Sequence, residues 1–254
     1  SIAANNIVMA AYRHVTSPEC RMYLLRQAYE EAIHTHAYQY MVESLGLDSG
    51  EIYNMYREVD AIYNKASFIL TFNEGIFDPS FKTGTFESDQ KFLENIIVFS
   101  LIMEGIFFYS SFAVIFGFQR QNKMKSSAEQ IQYIMRDESQ HLNFGINLIN
   151  TIKEEQPELW TPEFQQHVVD MVKEGAKLEY TFAAEVFPKG IFGMNAESFK
   201  QYIEHISDRR LARVGLPEQF GVSNPFPWMS EAVDLNKEKN FFETRVIEYK
   251  TGGT

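Results

Sequence analysis

The chain has 254 residues, 45% of them hydrophobic, and a formal net charge of −11, enough apolar material for one large core in a single domain. A pI near 5.1 excludes a surface built to replace the counterions of a nucleic acid. With Cys20 as the lone cysteine, an internal disulfide, a cysteine metal cluster and a Cys-x-x-Cys redox pair are excluded too, and a reducing, cytoplasmic setting is expected.

Ser1-Ile-Ala-Ala-Asn-Asn carries neither an initiator Met nor the pattern of a secretion signal, and it reads as the interior of a longer chain, with ordinary Met removal before a small residue as the alternative. Strand signals are few and helical periodicity runs through most of the length. Ser17-Pro18 supplies an N-cap and a first-turn proline, which predicts a long helix to about Leu45, before Gly46. A shorter helix is expected from Glu51 to Phe72. A second long helix runs from Glu87 to Phe118. The third opens on the capping box Ser126-x-x-Glu129 and ends before Pro157; the fourth spans Thr161-Pro162 to Pro188. Ala196 to Val214 makes a further short helix. From Gly215 onward, Leu216-Pro217 and Asn224-Pro-Phe-Pro predict irregular chain. Long helices joined by short turns give an all-α bundle, taken as one domain over residues 1–254.

The stretch Ile96 to Phe118 has Glu104 as its one ionisable carboxylate and is long enough to cross a bilayer. The other long helices are amphipathic and offer nothing to shelter Glu104 from lipid. A central helix buried on nearly all sides explains the same composition, so no membrane is expected.

On the first long helix Leu24, Gln27, Glu31, His34, Tyr38, Met41 and Leu45 fall on one inward stripe; on the third, Ile131, Ile134, Glu138, His141, Gly145 and Leu148 do the same. On the second, Ile97, Leu101, Glu104, Phe108 and Ile115 share a face. A buried carboxylate without a partner costs several kcal/mol, so three at core positions demand cations or protons. Glu-x-x-His sets an oxygen and a nitrogen donor one turn apart. Two such pairs and a lone Glu on a third helix predict a di-iron or di-manganese site held by Glu31, His34, Glu104, Glu138 and His141; without thiolates, structural zinc is excluded. Glu163 with His167, and Glu204 beside His205, lack that spacing and read as solvated surface. His14 and His36 read as surface residues or as supports of a ligand.

Tyr38 lies one turn beyond His34, close enough for its phenol to approach a metal held there. Phe108, Phe112 and Ile134 sit one turn from the ligands on the facing helices and are expected to form a dry pocket around it. Asp137 is expected to orient a metal-binding His; Arg136 beside it is read either as balancing charge or as a surface residue.

Glu31-Ala-Ile-His34-Thr-His-Ala-Tyr38, Glu104-Gly-Ile-Phe-Phe-Tyr-Ser-Ser-Phe112 and Arg136-Asp-Glu-Ser-Gln-His141-Leu resemble, in this order, the class I ribonucleotide reductase small subunit, a ferritin-like fold. The resemblance runs through Asn240-Phe-Phe-Glu-Thr-Arg-Val near the end. It implies a homodimer in which a reduced di-metal centre and O2 oxidise Tyr38 to a radical. The oxidising equivalent then passes to a separate large subunit that makes deoxyribonucleotides. Iron is the first expectation and manganese the alternative; tyrosine at 38 departs from the manganese/iron members, which carry phenylalanine there. The family's sixth ligand, an Asp or Glu on a preceding helix, would fall by register before Ser1. Glu19 and Glu30 do not fit it, and Glu179 on the fourth helix is the fallback. The family's C-terminal tail would likewise continue past Thr254. A related di-metal oxidase that exports no radical, and a metal-deficient partner subunit, are the competing readings.

Overall fold

The computed structural model describes residues 2–190 and 194–229; the Asn240-Phe-Phe-Glu-Thr-Arg-Val segment lies outside them. Among the described residues there are helices and no β-strand. The chain opens on α1 (Ile2–Asn6), a π turn (Ile7–Ala11) and α2 (Tyr12–His14). The sequence reading assigned no element here, although Ala3, Ile7, Ala10 and Ala11 recur at helical spacing and are buried.

α3 (Pro18–Ser44) begins where expected, with the Ser17 side chain accepting from the Cys20 amide. The helix expected over Glu51 to Phe72 is two. Asp48 caps α4 (Ser49–Glu58), Val59 takes extended angles, and α5 (Asp60–Thr71) follows. Neither Gly nor Pro marks that break, so periodicity ran straight across it. α8 (Lys125–Glu155) also departs from expectation. Its N-cap is Met124 in left-handed geometry with φ 49°, and Ser126 lies inside the helix rather than capping it. A tight reversal after Phe118, closed by the Lys123 amide on the Phe118 carbonyl at 3.0 Å, starts the helix early. α9 (Pro162–Val186) is capped by Thr161 and α10 (Ala196–Arg213) by Asn195.

The central rod is α6 (Phe86–Ile97), a ten-residue π segment (Val98–Phe107) and α7 (Phe108–Arg120), without a break. Every residue of the π segment is buried. By length and composition this rod could cross a membrane, but 89% of its most apolar window is covered by the rest of the molecule. α8, α9 and α10 pack around it. Gly145 allows α8 to approach: a Cβ there would lie 2.1 Å from Ser100 Oγ.

The expected shared face of Ile97, Leu101, Glu104, Phe108 and Ile115 follows 3.6 residues per turn, whereas Glu104 stands in a π segment with wider turns. π turns inside helices concentrate at functional sites.

Candidate metal centre

Glu31, Glu104, Glu138 and His141 converge from α3, the π segment and α8, each offering one donor atom within 4.8 Å of the others. All four are buried, as is His34. Glu138 is the hub. One of its oxygens lies 3.1 Å from Nδ1 of His141 and the other 3.0 Å from Nδ1 of His34. Glu31 Oε1 lies 3.6 Å from His141 Nδ1.

The outward nitrogens are held as well. His34 Nε2 is 3.0 Å from Asp137, and His141 Nε2 is 2.9 Å from Glu30. Such partners fix which imidazole nitrogen is left for a metal, here Nδ1 in both rings. Gln27 donates to one oxygen of Glu104 at 2.8 Å. The other Glu104 oxygen and Glu31 Oε1 are buried without a hydrogen-bond partner. Buried polar atoms are rarely left so. Both belong to one cluster, and with His34, Glu138 and His141 they offer the mixed oxygen and nitrogen donors that suit iron or manganese. The residues present fit a pair of ions.

Burial pushes the Glu31 carboxyl up to about 7, with the charge of Glu138 adding to it. Burial raises Glu104 well above the usual carboxylate range, helped by Glu138 and Glu31. For His34, burial opposes the charged ring, but hydrogen bonds to Asp137 and Glu138 outweigh it and carry the ring up to about 10. His141 is raised in the same way, against burial, by Glu138 and then Glu30. Burial would raise Glu138 too, yet the two imidazoles hold it below its ordinary value. The metal-free cluster thus retains protons where cations would sit.

A pH prediction follows. Glu31 and His34 have folded-state values above their unfolded ones, so the metal-free native chain holds more protons than the unfolded chain over the neutral range, and its stability falls as pH rises from about 5 to about 9. Calorimetric scans of chelator-treated protein should show a falling melting temperature across that range, and metal loading at pH 7 should release more than one proton per chain. A flat or rising melting temperature would contradict these assignments.

Tyr38 stands on the inward stripe of α3, and burial of its hydroxyl, followed by the charges of Glu138 and Glu31, raises its pKa. The sealed pocket expected around it is only partly seen. Phe112 and Ile134 are buried and Phe108 is partly buried, but Tyr38 keeps 40% of its surface exposed and lies outside the apolar core those residues join. The fallback ligand Glu179 is not in the cluster. It is buried against Lys65 of α5 and the Ser110 hydroxyl, and Lys65 sits 4.5 Å from the centre of the Phe107 ring. Glu179 therefore has a cation already. Glu19 is exposed at the start of α3 beside Ser17.

His167 and His36 are exposed. His14, expected at the surface or supporting a ligand, instead packs edge-on against Phe81 and Phe92. His205 is half-buried with Nδ1 at the Val222 carbonyl, not a solvated residue. Gln27 was legible as part of the inward stripe, but its role was not. Glu30, one position off the stripe and not a ligand, reaches the outer nitrogen of His141.

Residues 1–225 match the family model for the ribonucleotide reductase small chain. The chain belongs to that family. It is 53% identical over its whole length to a ribonucleoside-diphosphate reductase subunit beta of Chlamydia pneumoniae, 73% of whose length it spans. It is 30% identical to a ribonucleoside-diphosphate reductase small subunit of Plasmodium falciparum, covering 99% of this chain and 73% of that one. Among solved structures, a ribonucleotide reductase R2 subunit from Clostridium botulinum superposes with a TM-score of 0.80 at 27% identity, over 92% of this chain and 72% of the other. The family membership fits the ferritin-like bundle and its carboxylate and imidazole cluster.

Proposed function

We propose that this chain is the radical-generating small subunit of a ribonucleoside-diphosphate reductase, working as one ferritin-like domain over residues 1–254. The observation that carries the reading is the pair of buried carboxylate oxygens without partners on Glu31 and Glu104, gathered with Glu138 and His141, with Tyr38 one turn beyond His34 on α3. Glu31, His34, Glu104, Glu138 and His141 would hold two metal ions, iron first and manganese as the alternative. When bound, those ions and O2 supply the oxidising power that takes one electron from Tyr38.

The chain's own residues do the rest. Glu138, set between both imidazoles, is placed to serve both ions. Glu31 and Glu104 give up protons to accept cations. Asp137 and Glu30 keep Nδ1 of each imidazole turned inward. Phe112 and Ile134, with Phe108, make the neighbouring apolar core, which Tyr38 adjoins with part of its ring exposed. Asp137, hydrogen-bonded to His34 and still about one-third exposed, joins the cluster to the surface, where a large subunit would collect the oxidising equivalent. A cytoplasmic oxidoreductase acting in deoxyribonucleotide supply is the cellular reading.

A homodimer is part of this proposal. The face of α3 opposite the cluster carries Met22, Leu25, Tyr29 and Ile33 at three- and four-residue spacing and Tyr40 two turns further on, all exposed. An apolar stripe of this kind on a charged protein suits a self-complementary contact. Ile33→Glu should convert a dimer to a monomer in light scattering without altering metal content. A monomeric parent, or a variant that stays dimeric, would count against the stripe.

The direct test of function is to load the protein with ferrous iron and oxygen, look for the organic radical, and assay ribonucleotide reduction after adding a large subunit. Metal uptake without a radical would favour the oxidase; no uptake would favour the metal-deficient partner.

A further inference from the structure

Arg210 of α10 is 8% exposed. Buried guanidinium groups are normally paired with carboxylates. This one is spent on the central rod instead: its Nε donates to the Gly105 carbonyl at 2.9 Å, and its guanidinium lies 4.7 Å from the centre of the Tyr109 ring. Gly105 directly follows Glu104 inside the π segment. A Cβ there would be tight, 3.1 Å from Arg210 Nε and 3.0 Å from the Ser100 carbonyl, so a larger residue would push on the same brace. Tyr109 carries the contact further. Its hydroxyl is 2.7 Å from Ser139 Oγ, and Ser139 directly follows Glu138 on α8. One buried side chain therefore touches the backbone next to Glu104 and, through one phenol, the residue next to Glu138.

We infer that Arg210 is a positioning residue for the cluster, setting the separation of Glu104 and Glu138 by holding the Gly105 carbonyl and the Tyr109 ring together. The inference rests on the metal-binding reading above. A π segment gives Glu104 a register that an ordinary α-helix would not, and Arg210 is the interior brace on the backbone beside it. Supports one step removed from metal ligands commonly change affinity by about 10- to 100-fold.

The test uses the full chain, freed of metal and titrated with Mn(II). Bound ions are counted, and electron paramagnetic resonance separates the spin-coupled signal of a pair from that of isolated ions. The parent should take up two coupled ions. Arg210→Met, folded by circular dichroism, should bind the second ion about tenfold or more weakly and lose the coupled signal. Gly105→Ala should do the same with the arginine still present. Arg210→Lys, which keeps the charge and a donor, should recover part of the coupling, and Arg209→Met on the exposed side should change nothing. If Arg210→Met does not fold, Gly105→Ala and Arg210→Lys decide alone. Parent-like coupling and affinity in the folded Arg210→Met, or in Gly105→Ala when it alone folds, overturns the role of Arg210 and leaves the metal site standing. A parent that binds no paired ions overturns both.

Discussion

Tyr38→Phe should leave two metal ions bound, abolish the organic radical signal that follows addition of ferrous iron and oxygen, and lower ribonucleotide reduction with the large subunit on the order of 1,000-fold or more. The expectation rests on separation of roles. Tyr38 donates to none of the atoms that would hold the ions, so removing its hydroxyl takes away the electron donor and not the site. Its hydroxyl nevertheless feels the charges of Glu138 and Glu31, and it stands one turn beyond His34 on α3. Metal counting and spectroscopy on one sample test both halves. A Tyr38→Phe protein with an undiminished radical would move the radical to another residue, and one that no longer binds metal would make Tyr38 part of the binding shell.

Loss of Glu138 should do more damage to the site. Its two oxygens face the inward nitrogens of both imidazoles, so Glu138→Ala removes a donor that would serve both ions and leaves His34 with Asp137, and His141 with Glu30, as the hydrogen-bonded carboxylate. The variant should bind no more than about one ion per chain, with affinity lowered more than about 100-fold. Glu163→Ala is the matched control, since Glu163 is exposed at the first turn of α9. Metal analysis after dialysis reads the result directly. Two ions retained by Glu138→Ala would mean that the cluster is a structural network of buried acids and imidazoles and not a metal centre.

The cluster was legible because Glu31–His34 and Glu138–His141 sit in α3 and α8, where the inward stripe obeys ordinary helical periodicity and a charged residue on it stands out. Asp137 was legible from its place beside Glu138, although only the fold could say that its partner is His34 on another helix. Periodicity failed where the backbone leaves the α-helix. Val59 turns extended between α4 and α5 with no Gly or Pro to mark it, and the π segment around Glu104 is buried on every side, so it lacks the polar face from which a change of period could be read. Arg210 and the Lys65–Glu179 pair escaped for another reason. Their chemistry depends on contacts across 69 to 114 positions of chain, and a lone basic residue on an amphipathic helix looks like any solvated one.

Crystals grown with Fe(II) or Mn(II) and measured with anomalous diffraction at both metal edges give the most direct measurement. Two peaks should appear among Glu31, His34, Glu104, Glu138 and His141, with Nδ1 of each imidazole turned toward them and Glu138 between them. A map with no peak there, or with ions bound only by surface carboxylates, would contradict the assignment of this cluster as the oxidising centre.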